Sequence, residues 1–471
     1  MRLHLTLLSL AAPALCGVVL AQTPDFAGTG LAGSMTWRAN GDPVCGLGKD
    51  FHAGRRAELR KRLEPGVVVL RGLPKVEDYL AFSQDKNFWY LTGVESPDVA
   101  FVMDVQSGKE VLLVEKPDPW RERWEGEIWD TDDQWIRDLT GVQDLRRTRH
   151  LEEVIREMLD PGEVLYTVQT PAVALAGCYD AAEPFAKERK RDKWDGRESR
   201  EVALAAKLGE VFGVEVKDIT KTLREMRLVK TNEEIDVLRR ASEAGALAMM
   251  EGVRSTRPGL GEWDIAGVLS WMHHRNGATG PAYGAIVGSG ANSLVLHYMA
   301  SARRMQDGEV LLVDYGPEVD HYVTDITRTW PVNGKFSERQ AELYDVVLEA
   351  QKAGIAAAKA GGTLQAVNQA CAEVIQAREM GHLMAHGAVH WVGMEVHDPG
   401  PGPVTLAPGM VFTVEPGLYE AETGIGIRIE DVVLVTEGEA EVLTGRCPKE
   451  RTELETLYQE QGVLDWMDRR E

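Results

Sequence analysis

Residues 310–327 read VLLVDYGPEVDHYVTDIT, two apolar stretches that each carry an aspartate. The first stretch ends at Asp314, and the second returns after a Gly-Pro turn and carries Asp325. Side chains alternate along a strand, so Asp325 and Thr327 share one face, and an antiparallel partner can place Asp314 opposite them. Two buried carboxylates this close repel each other unless a cation neutralises them. The stretch therefore predicts a strand pair that holds a metal ion.

A second strand pair downstream repeats this arrangement. Residues 410–417 read MVFTVEPG and end an apolar strand with Glu415. Residues 426–433 read GIRIEDVV and carry Glu430 within the next strand, where Arg428 shares its face by alternation. The two pairs together supply four carboxylates.

A group of histidines lies between the two strand pairs, at His386, His390 and His397. Four carboxylates and one histidine suit two hard or borderline divalent ions that share oxygen ligands. Oxygen-rich ligation with one histidine favours Mn²⁺ over zinc. An aspartate at a strand end is by itself usually a turn or capping residue, so the prediction depends on the ordered combination.

Several ordered motifs resemble the pita-bread metallopeptidases, specifically the aminopeptidase P and prolidase branch. The motifs are Ile286 to Asn292 with Leu296-His297-Tyr298, Asp325 to Thr329, His386 to His390, Thr413 to Tyr419 and Gly426 to Asp431. The resemblance covers the chain from about Arg227 to Leu443 and extends more loosely to residues 87–93, which read NFWYLTG. It implies an α+β pita-bread catalytic domain behind an α/β N-terminal domain.

The resemblance also implies which residues bind metal. The five implied ligands are Asp314, Asp325, His390, Glu415 and Glu430. In this assignment Asp314 binds one ion, Asp325 and Glu430 bridge both, and the remaining two ligands complete the other site. All five positions hold metal-capable side chains, unlike those of relatives that have lost the metals, such as creatinase.

Five residues are candidates for catalysis, namely His297, His386, His397, Glu415 and Arg428. The resemblance implies that His297 and His397 stand near the substrate carbonyl and that His386 lies beside the proline pocket. Glu415 is placed to take and return a proton. Arg428 is interpreted as the partner of a ligand carboxylate, which it would hold in place.

The implied activity is that of an Xaa-Pro aminopeptidase, which removes the N-terminal residue from peptides with proline at the second position. Two divalent ions, with Mn²⁺ favoured, would share a water and lower its pKa from 15.7 to roughly 7. A secreted binding protein on an inactive, metal-free peptidase scaffold is an alternative from another class. The intact ligand set argues against it.

A second alternative is an Xaa-Pro dipeptidase, or prolidase, which must bind the C-terminal carboxylate of its substrate. Residues 398–410 read DPGPGPVTLAPGM and hold no basic residue for this purpose, which favours the aminopeptidase. Trp391 and Trp89 suit an extended apolar peptide channel. In aminopeptidase P relatives the tryptophan at the place of Trp89 reaches the site from a neighbouring subunit.

Composition and missing motifs exclude other classes. The chain has 471 residues, and 52 basic against 74 acidic residues give a formal charge of -22, which argues against nucleic-acid binding. The sequence contains no G-x-S-x-G, H-E-x-x-H or phosphate-binding loop, so a serine hydrolase, a single-zinc protease and a nucleotide binder lose support. The predicted partners are a peptide with proline at the second position and further copies of the chain, as a homodimer or homotetramer.

The first residues are typical of a secretory signal peptide. A charged start precedes an apolar run from Leu5 to Leu20, and small residues before Gln22 suit a cleavage site. This predicts an exported protein, periplasmic or secreted, without membrane attachment after cleavage. Disulfides and buried thiols both remain open for the four cysteines that would be left, which are Cys45, Cys178, Cys371 and Cys447.

The chain divides into five predicted segments. They are a signal peptide at 1–21, an N-terminal arm at 22–50, an aminopeptidase P N-terminal-like domain at 51–217, the pita-bread catalytic domain at 218–445 and a C-terminal tail at 446–471. Thr231 is predicted to cap a long helix, and one long helix is predicted from Ser337 to Ala360. The charged stretch from Glu183 to Arg200 is predicted to be a surface excursion.

Overall fold

A computed structural model describes residues 42–76, 81–173, 177–400 and 403–467. The predicted signal peptide, its cleavage site and most of the predicted N-terminal arm lie outside these ranges. Within the described ranges, no helix combines the length and the apolar character that crossing a membrane requires.

The N-terminal part is built on one six-stranded mixed sheet. Its strands are β1 (Gly66–Arg71), β2 (Ala100–Asp104), β3 (Glu110–Val114), β4 (Asp144–Arg147), β5 (Val164–Thr167) and β6 (Val216–Asp218). Their spatial order is β4-β3-β2-β1-β5-β6, with β2 antiparallel to both neighbours and the other pairs parallel. Val67 and Val68 of β1 enter two different apolar clusters, so both faces of the sheet are covered. Continuous apolar runs suit strands buried in this way.

The described residues of the N-terminal part also form seven helices. They are α1 (Lys49–Lys61), α2 (Lys86–Thr92), α3 (Pro119–Glu125), α4 (Trp135–Thr140), α5 (Leu151–Met158), α6 (Tyr179–Arg191) and α7 (Arg200–Phe212). Helix α5 is amphipathic and buries Val154, Ile155 and Met158, whereas α6 has no buried residue. The predicted surface excursion therefore coincides with most of α6 and the loop that follows it.

The catalytic part contains seven more helices. They are α8 (Thr220–Leu228), α9 (Asn232–Ser255), α10 (Glu262–Arg275), α11 (Glu338–Ala357), α12 (Leu364–Ala377), α13 (Arg451–Tyr458) and α14 (Val463–Met467). The predicted cap of α9 is confirmed, because Thr231 and Glu234 form a reciprocal capping box. The predicted long helix from Ser337 to Ala360 is confirmed as α11, which Ser337 caps. A second helix, α12, which Thr363 caps, was not predicted, and Gly361, with a φ of +87°, lies between the two. A glycine adopts this left-handed conformation readily because it has no Cβ.

Eleven short strands complete the catalytic part. They are β7 (Gly280–Pro281), β8 (Ile286–Ser289), β9 (Val310–Asp314), β10 (Pro317–Val319), β11 (Tyr322–Val323), β12 (Thr327–Pro331), β13 (Val411–Val414), β14 (Gly417–Glu420), β15 (Ile425–Arg428), β16 (Asp431–Leu434) and β17 (Glu441–Val442). They form sheets in the orders β11-β10-β7, β12-β9-β8, β13-β16-β17 and β14-β15. The strands before α11 and the strands after α12 form two antiparallel sheets each, and these two sets are the two halves of the catalytic part.

Two ligand positions differ from the strand pattern that the sequence predicted. Asp325 lies in the break between β11 and β12, and Glu430 lies in the break between β15 and β16, so neither is inside a strand. The backbone N–H of Glu430 donates to the carbonyl of Thr327 in the other half, at 3.1 Å. Because Asp325 and Glu430 are outside the strands, their carboxylates can turn towards the opposite half.

The contact between the N-terminal and catalytic parts buries Trp89. Its ring is 0% exposed and stacks on His321 of the same chain, with ring centroids 4.3 Å apart. The expectation that Trp89 serves a neighbouring subunit is therefore wrong for this chain, because its side chain is enclosed by its own fold. Trp391 is also buried, against Phe412. Cys178, Cys371 and Cys447 are free thiols, and the last two are buried.

Candidate metal centre

The predicted metal ligands meet where strands of the two halves end. Asp314 ends β9, and the antiparallel register of β9 and β12 sets Thr327 directly opposite it. Glu415 follows β13, and the pairing of β13 with β16 brings it near Glu430, which directly precedes β16. Strand pairing thus collects the carboxylates at one place, because each apolar strand ends next to one of them.

His390 turns one ring nitrogen into this group of carboxylates. Its Nε2 lies 3.4 Å from Oδ2 of Asp325, 3.4 Å from Oε1 of Glu415 and 3.8 Å from Oε1 of Glu430. Its Nδ1 lies 3.2 Å from the carbonyl oxygen of Trp391, which can only accept. Nδ1 is therefore a donor, and Nε2 faces the carboxylates, where it donates to them when the ring is protonated and can bind a metal when it is not.

The carboxylates outnumber the groups that could neutralise them. Asp314, Asp325 and Glu430 are 8%, 4% and 1% exposed. One atom each from Asp325, His390 and Glu430 lie within 4.8 Å of one another. The hydroxyl of Tyr283 contacts Asp314 and Asp325 at 2.5 Å each, yet it carries one proton and can donate to only one of them. An excess of buried acceptors fits divalent cations.

The pKa values of this cluster reflect the same imbalance. Burial, followed by the charge of Asp325, raises the pKa of Asp314 to about 7. The same two causes raise the pKa of Glu430 well above its usual range. Burial alone would lower the pKa of His390, but its hydrogen bond to Asp325 and the charge of Glu415 raise it to about 9. The imidazole of His390 and the guanidinium of Arg428 each offset part of the negative charge.

Arg428 contacts a candidate ligand, as the sequence predicted. Its Nη2 donates to Oδ2 of Asp314 at 2.6 Å, and its Nη1 donates to the hydroxyl of Tyr419 at 2.9 Å. Its Nε donates to Oγ1 of Thr327, whose hydroxyl donates to Oε2 of Glu430 at 2.6 Å. The guanidinium therefore orients carboxylates of both halves and is not free to bind substrate.

The other three histidines line the rim of the cluster. Nε2 of His386 lies 2.8 Å from the hydroxyl of Tyr419, and its Nδ1 lies 3.9 Å from Oε2 of Glu415. The ring of His397 stacks on that of His390, with centroids 4.0 Å apart. Burial and the charge of Arg428 lower the pKa of His297. No hydrogen bond from His297 to the cluster is present within the described residues.

Three residues of the site were missed by sequence reasoning, and these are Tyr283, Tyr419 and Asp180. Tyr419 lies in β14, four residues after Glu415, so the strand pattern around that glutamate could have indicated it. Tyr283 precedes β8 without a local signal. Asp180 accepts a hydrogen bond from Nδ1 of His397 at 2.7 Å, across 217 residues of chain. No sequence pattern links residues that far apart.

Comparisons with known proteins match both parts of the chain. Residues 52–166 match the aminopeptidase P N-terminal domain, and residues 236–437 match metallopeptidase family M24. The Xaa-Pro aminopeptidase of Escherichia coli is 32% identical over 86% of this chain and 96% of its own length. The Xaa-Pro dipeptidase of Pyrococcus furiosus is 37% identical but over 49% of this chain and 67% of its own length.

Solved structures agree with these matches. Aminopeptidase PepP of Pseudomonas aeruginosa superimposes with a TM-score of 0.74 at 30% identity, covering 87% of this chain and 98% of that chain. Proline aminopeptidase P II of Yersinia pestis gives a TM-score of 0.73 at 29% identity, covering 87% and 99%. The predicted resemblance and fold class are confirmed, while the exact domain limits stay predictions. The chain belongs to metallopeptidase family M24, as an aminopeptidase P homologue with a pita-bread catalytic domain behind an aminopeptidase P N-terminal domain.

Proposed function

We propose that the protein is an Xaa-Pro aminopeptidase, which removes the first residue of peptides whose second residue is proline, using two divalent ions. One observation carries the proposal: Asp325, His390 and Glu430 offer ligand atoms within 4.8 Å of one another, in a cluster of buried carboxylates. The Xaa-Pro aminopeptidase relatives match most of the chain, which supports the same activity.

The five residues that would hold the ions are Asp314, Asp325, His390, Glu415 and Glu430. We propose Mn²⁺, because four carboxylates and one imidazole form an oxygen-rich donor set. When bound, such ions polarise the substrate carbonyl and lower the pKa of water. Metal analysis after purification with manganese should find near two ions per chain. A chain that stays metal-free under these conditions would support the binding-protein alternative.

The side chains around the cluster can transfer the proton of the attacking water and stabilise the negative charge that develops on the substrate carbonyl oxygen. Glu415, with Oε1 3.4 Å from Nε2 of His390, can accept the proton that the attacking water loses and return it to the proline nitrogen. His397 and His297 can donate to the carbonyl oxygen as it becomes negative. Each such donor typically contributes about 3 kcal/mol to lowering the barrier.

The charges around residue 398 favour the aminopeptidase over the dipeptidase. Two basic residues lie next to Asp398, at the start of the segment 398–410, and both are already paired with its carboxylate. Nη2 of Arg227 lies 2.7 Å and Nζ of Lys230 lies 3.2 Å from the carboxylate of Asp398, and all three side chains are buried. Neither cation is available for the C-terminal carboxylate of a dipeptide, whose burial without a partner is costly.

The test compares kcat/KM on Gly-Pro with kcat/KM on Gly-Pro extended by two residues, both with manganese present. We expect the extended peptide to be preferred. A preference for the free dipeptide would assign the protein as a prolidase and leave the metal centre as proposed.

We also propose that the protein is exported to the periplasm or secreted and that it assembles as a homodimer or homotetramer. The charged start followed by the apolar run from Leu5 to Leu20 supports export. The family resemblance supports the assembly. Intact-mass measurement of exported protein should give a chain that starts near Gln22, and light scattering should give the number of subunits. Retention of the apolar run in the exported product would contradict the cleavage.

A further inference from the structure

Helix α6 belongs to the N-terminal part but touches the catalytic site with its first turn. It lies between β5 and β6 in the chain, and none of its residues is buried. Oδ2 of Asp180, the second residue of α6, lies 2.7 Å from Nδ1 of His397. The Asp180 side chain is 60% exposed and that of His397 is 31% exposed, so the pair lies at the rim of the site.

The residues next to Asp180 hold this turn in place. The guanidinium of Arg224, in α8, lies over the ring of Tyr179, with Cζ 4.6 Å from the ring centroid. The thiol-bearing Cys178 packs against the apolar cluster shared by the N-terminal and catalytic parts. Oε2 of Glu183, one turn further on, lies 3.9 Å from Nη2 of Arg224. Neighbours on both sides thus fix the position of Asp180.

The contact determines how His397 presents its second nitrogen. An ionised carboxylate only accepts hydrogen bonds, so Nδ1 of His397 is the donor to Asp180. The imidazole ring is also stacked on His390, a candidate metal ligand, at 4.0 Å between centroids. With Nδ1 held by the carboxylate and one face held by His390, Nε2 is the remaining polar atom of the ring. A carboxylate that binds one nitrogen of a histidine orients the ring.

We propose that Asp180 is a positioning residue that orients His397, so that Nε2 of His397 faces the carbonyl oxygen of the substrate. This inference rests on the proposed function of the site and adds a residue from the N-terminal part of the same chain. The N-terminal part then contributes to catalysis through α6.

Asp180 also lies in the first turn of a helix, where a negative charge stabilises the helix by itself. The experiment must therefore separate an effect on His397 from an effect on α6. A double-mutant cycle does so, because only a residue that acts through His397 loses its effect when His397 is absent.

The variants are Asp180→Ala, Asp180→Glu, His397→Ala and the Asp180→Ala/His397→Ala double variant, assayed on Gly-Pro extended by two residues with manganese. His397→Ala should lower kcat by about 100-fold and keep its metal. Asp180→Ala should lower kcat by about 10-fold, with little change in KM, and keep its metal. Asp180→Glu, which retains the carboxylate, should recover part of this loss.

The double variant should be no slower than His397→Ala. Glu188→Gln is the matched control, since Glu188 is an exposed carboxylate of the same helix, and it should behave as the wild type. Independent losses in the double variant, or unchanged kcat in Asp180→Ala, would overturn the inference while the proposed activity stands. A wild-type chain with its metal but without activity on any Xaa-Pro peptide would overturn the proposed function and this inference with it.

Discussion

Glu430 combines deep burial with a negative charge that the surrounding side chains only partly offset. Its carboxylate accepts from Thr327 at 2.6 Å and lies 3.8 Å from Nε2 of His390. Asp325 and Glu415 add further negative charge around it. The ionised form of a single carboxylate at this centre is therefore unfavourable, and bound cations would stabilise it.

Replacing Asp325 or Glu430, the two carboxylates proposed to contact both ions, should separate metal binding from folding. Asp325→Asn and Glu430→Gln should each abolish activity and lower the metal content, because an amide cannot replace the charge. In metal-free protein, Glu430→Gln should melt at the same or a higher temperature than the wild type, because the neutral amide avoids the ionised form that burial and the neighbouring carboxylates destabilise. Glu422→Gln, at an exposed carboxylate, is the control for both measurements. Full metal content in the bridging variants would remove these residues from the centre.

His273 gives a prediction for pH. It is 1% exposed, and no described residue forms a hydrogen bond with either ring nitrogen. Burial, with a smaller contribution from His274, lowers its pKa from 6.5 to about 3. The unfolded chain therefore binds a proton that the folded chain does not, and stability falls as the pH falls below 6.5. From pH 7.5 to pH 5 this residue should cost about 2 kcal/mol.

His273→Phe keeps the ring beside Tyr315 and removes the titration. The free energy of unfolding, measured with urea at both pH values, should change less with pH in this variant than in the wild type. The variant's stability relative to the wild type should rise by that amount on acidification. Parallel pH curves for the two proteins would contradict a buried neutral His273.

At the scale of elements, helix ends and strand breaks position the site. The capping box at the start of α9 fixes where the longest helix of the catalytic part begins. Thr231 Oγ1 accepts from the N–H of Glu234 at 3.3 Å, and the Glu234 carboxylate accepts from the N–H of Thr231 at 2.8 Å. Each bond satisfies a backbone donor that the helix itself cannot satisfy.

Removing this cap should destabilise the fold without affecting the metal centre. Thr231→Ala should lower the free energy of unfolding by about 1 kcal/mol, measured by urea denaturation. Thr231→Ser retains the hydroxyl and should remain close to the wild type. Equal losses in the two variants would show that the hydroxyl does not stabilise the helix.

At the scale of the whole molecule, an ion pair joins the N-terminal and catalytic parts. Nζ of Lys86 lies 2.6 Å from Oε2 of Glu318, with both side chains 6% exposed, next to the stacked rings of Trp89 and His321. A buried pair is costly to break from one side because the remaining charge has no partner. This junction also fixes the N-terminal part from which α6 reaches His397.

Lys86→Met should therefore lower the free energy of unfolding by about 3 kcal/mol or more. The Lys86→Met/Glu318→Leu double variant should be more stable than Lys86→Met, because it leaves no unpaired buried charge. Chemical denaturation of the four proteins gives the coupling between the two residues. Losses that simply add would show that the two charges do not interact across the junction.

The sequence by itself determined the chemistry of the candidate centre and the general fold. Apolar strands that end in Asp314 or Glu415, and the capping residues of α9, are local patterns, so they can be interpreted without knowing the fold. The sequence did not predict that the strands break at Asp325 and Glu430, because alternating side chains predict a continuous strand. The break at Glu430 accompanies a backbone hydrogen bond to Thr327 in the other half, which the local sequence does not indicate.

Only the tertiary structure decided which distant residues act together. Tyr283 joins two carboxylates, Asp180 reaches His397 across 217 residues, and Trp89 is enclosed by its own chain. These contacts form between segments that carry no pattern in common. They depend on how sheets and helices pack, and packing is set by the whole chain rather than by any stretch of it.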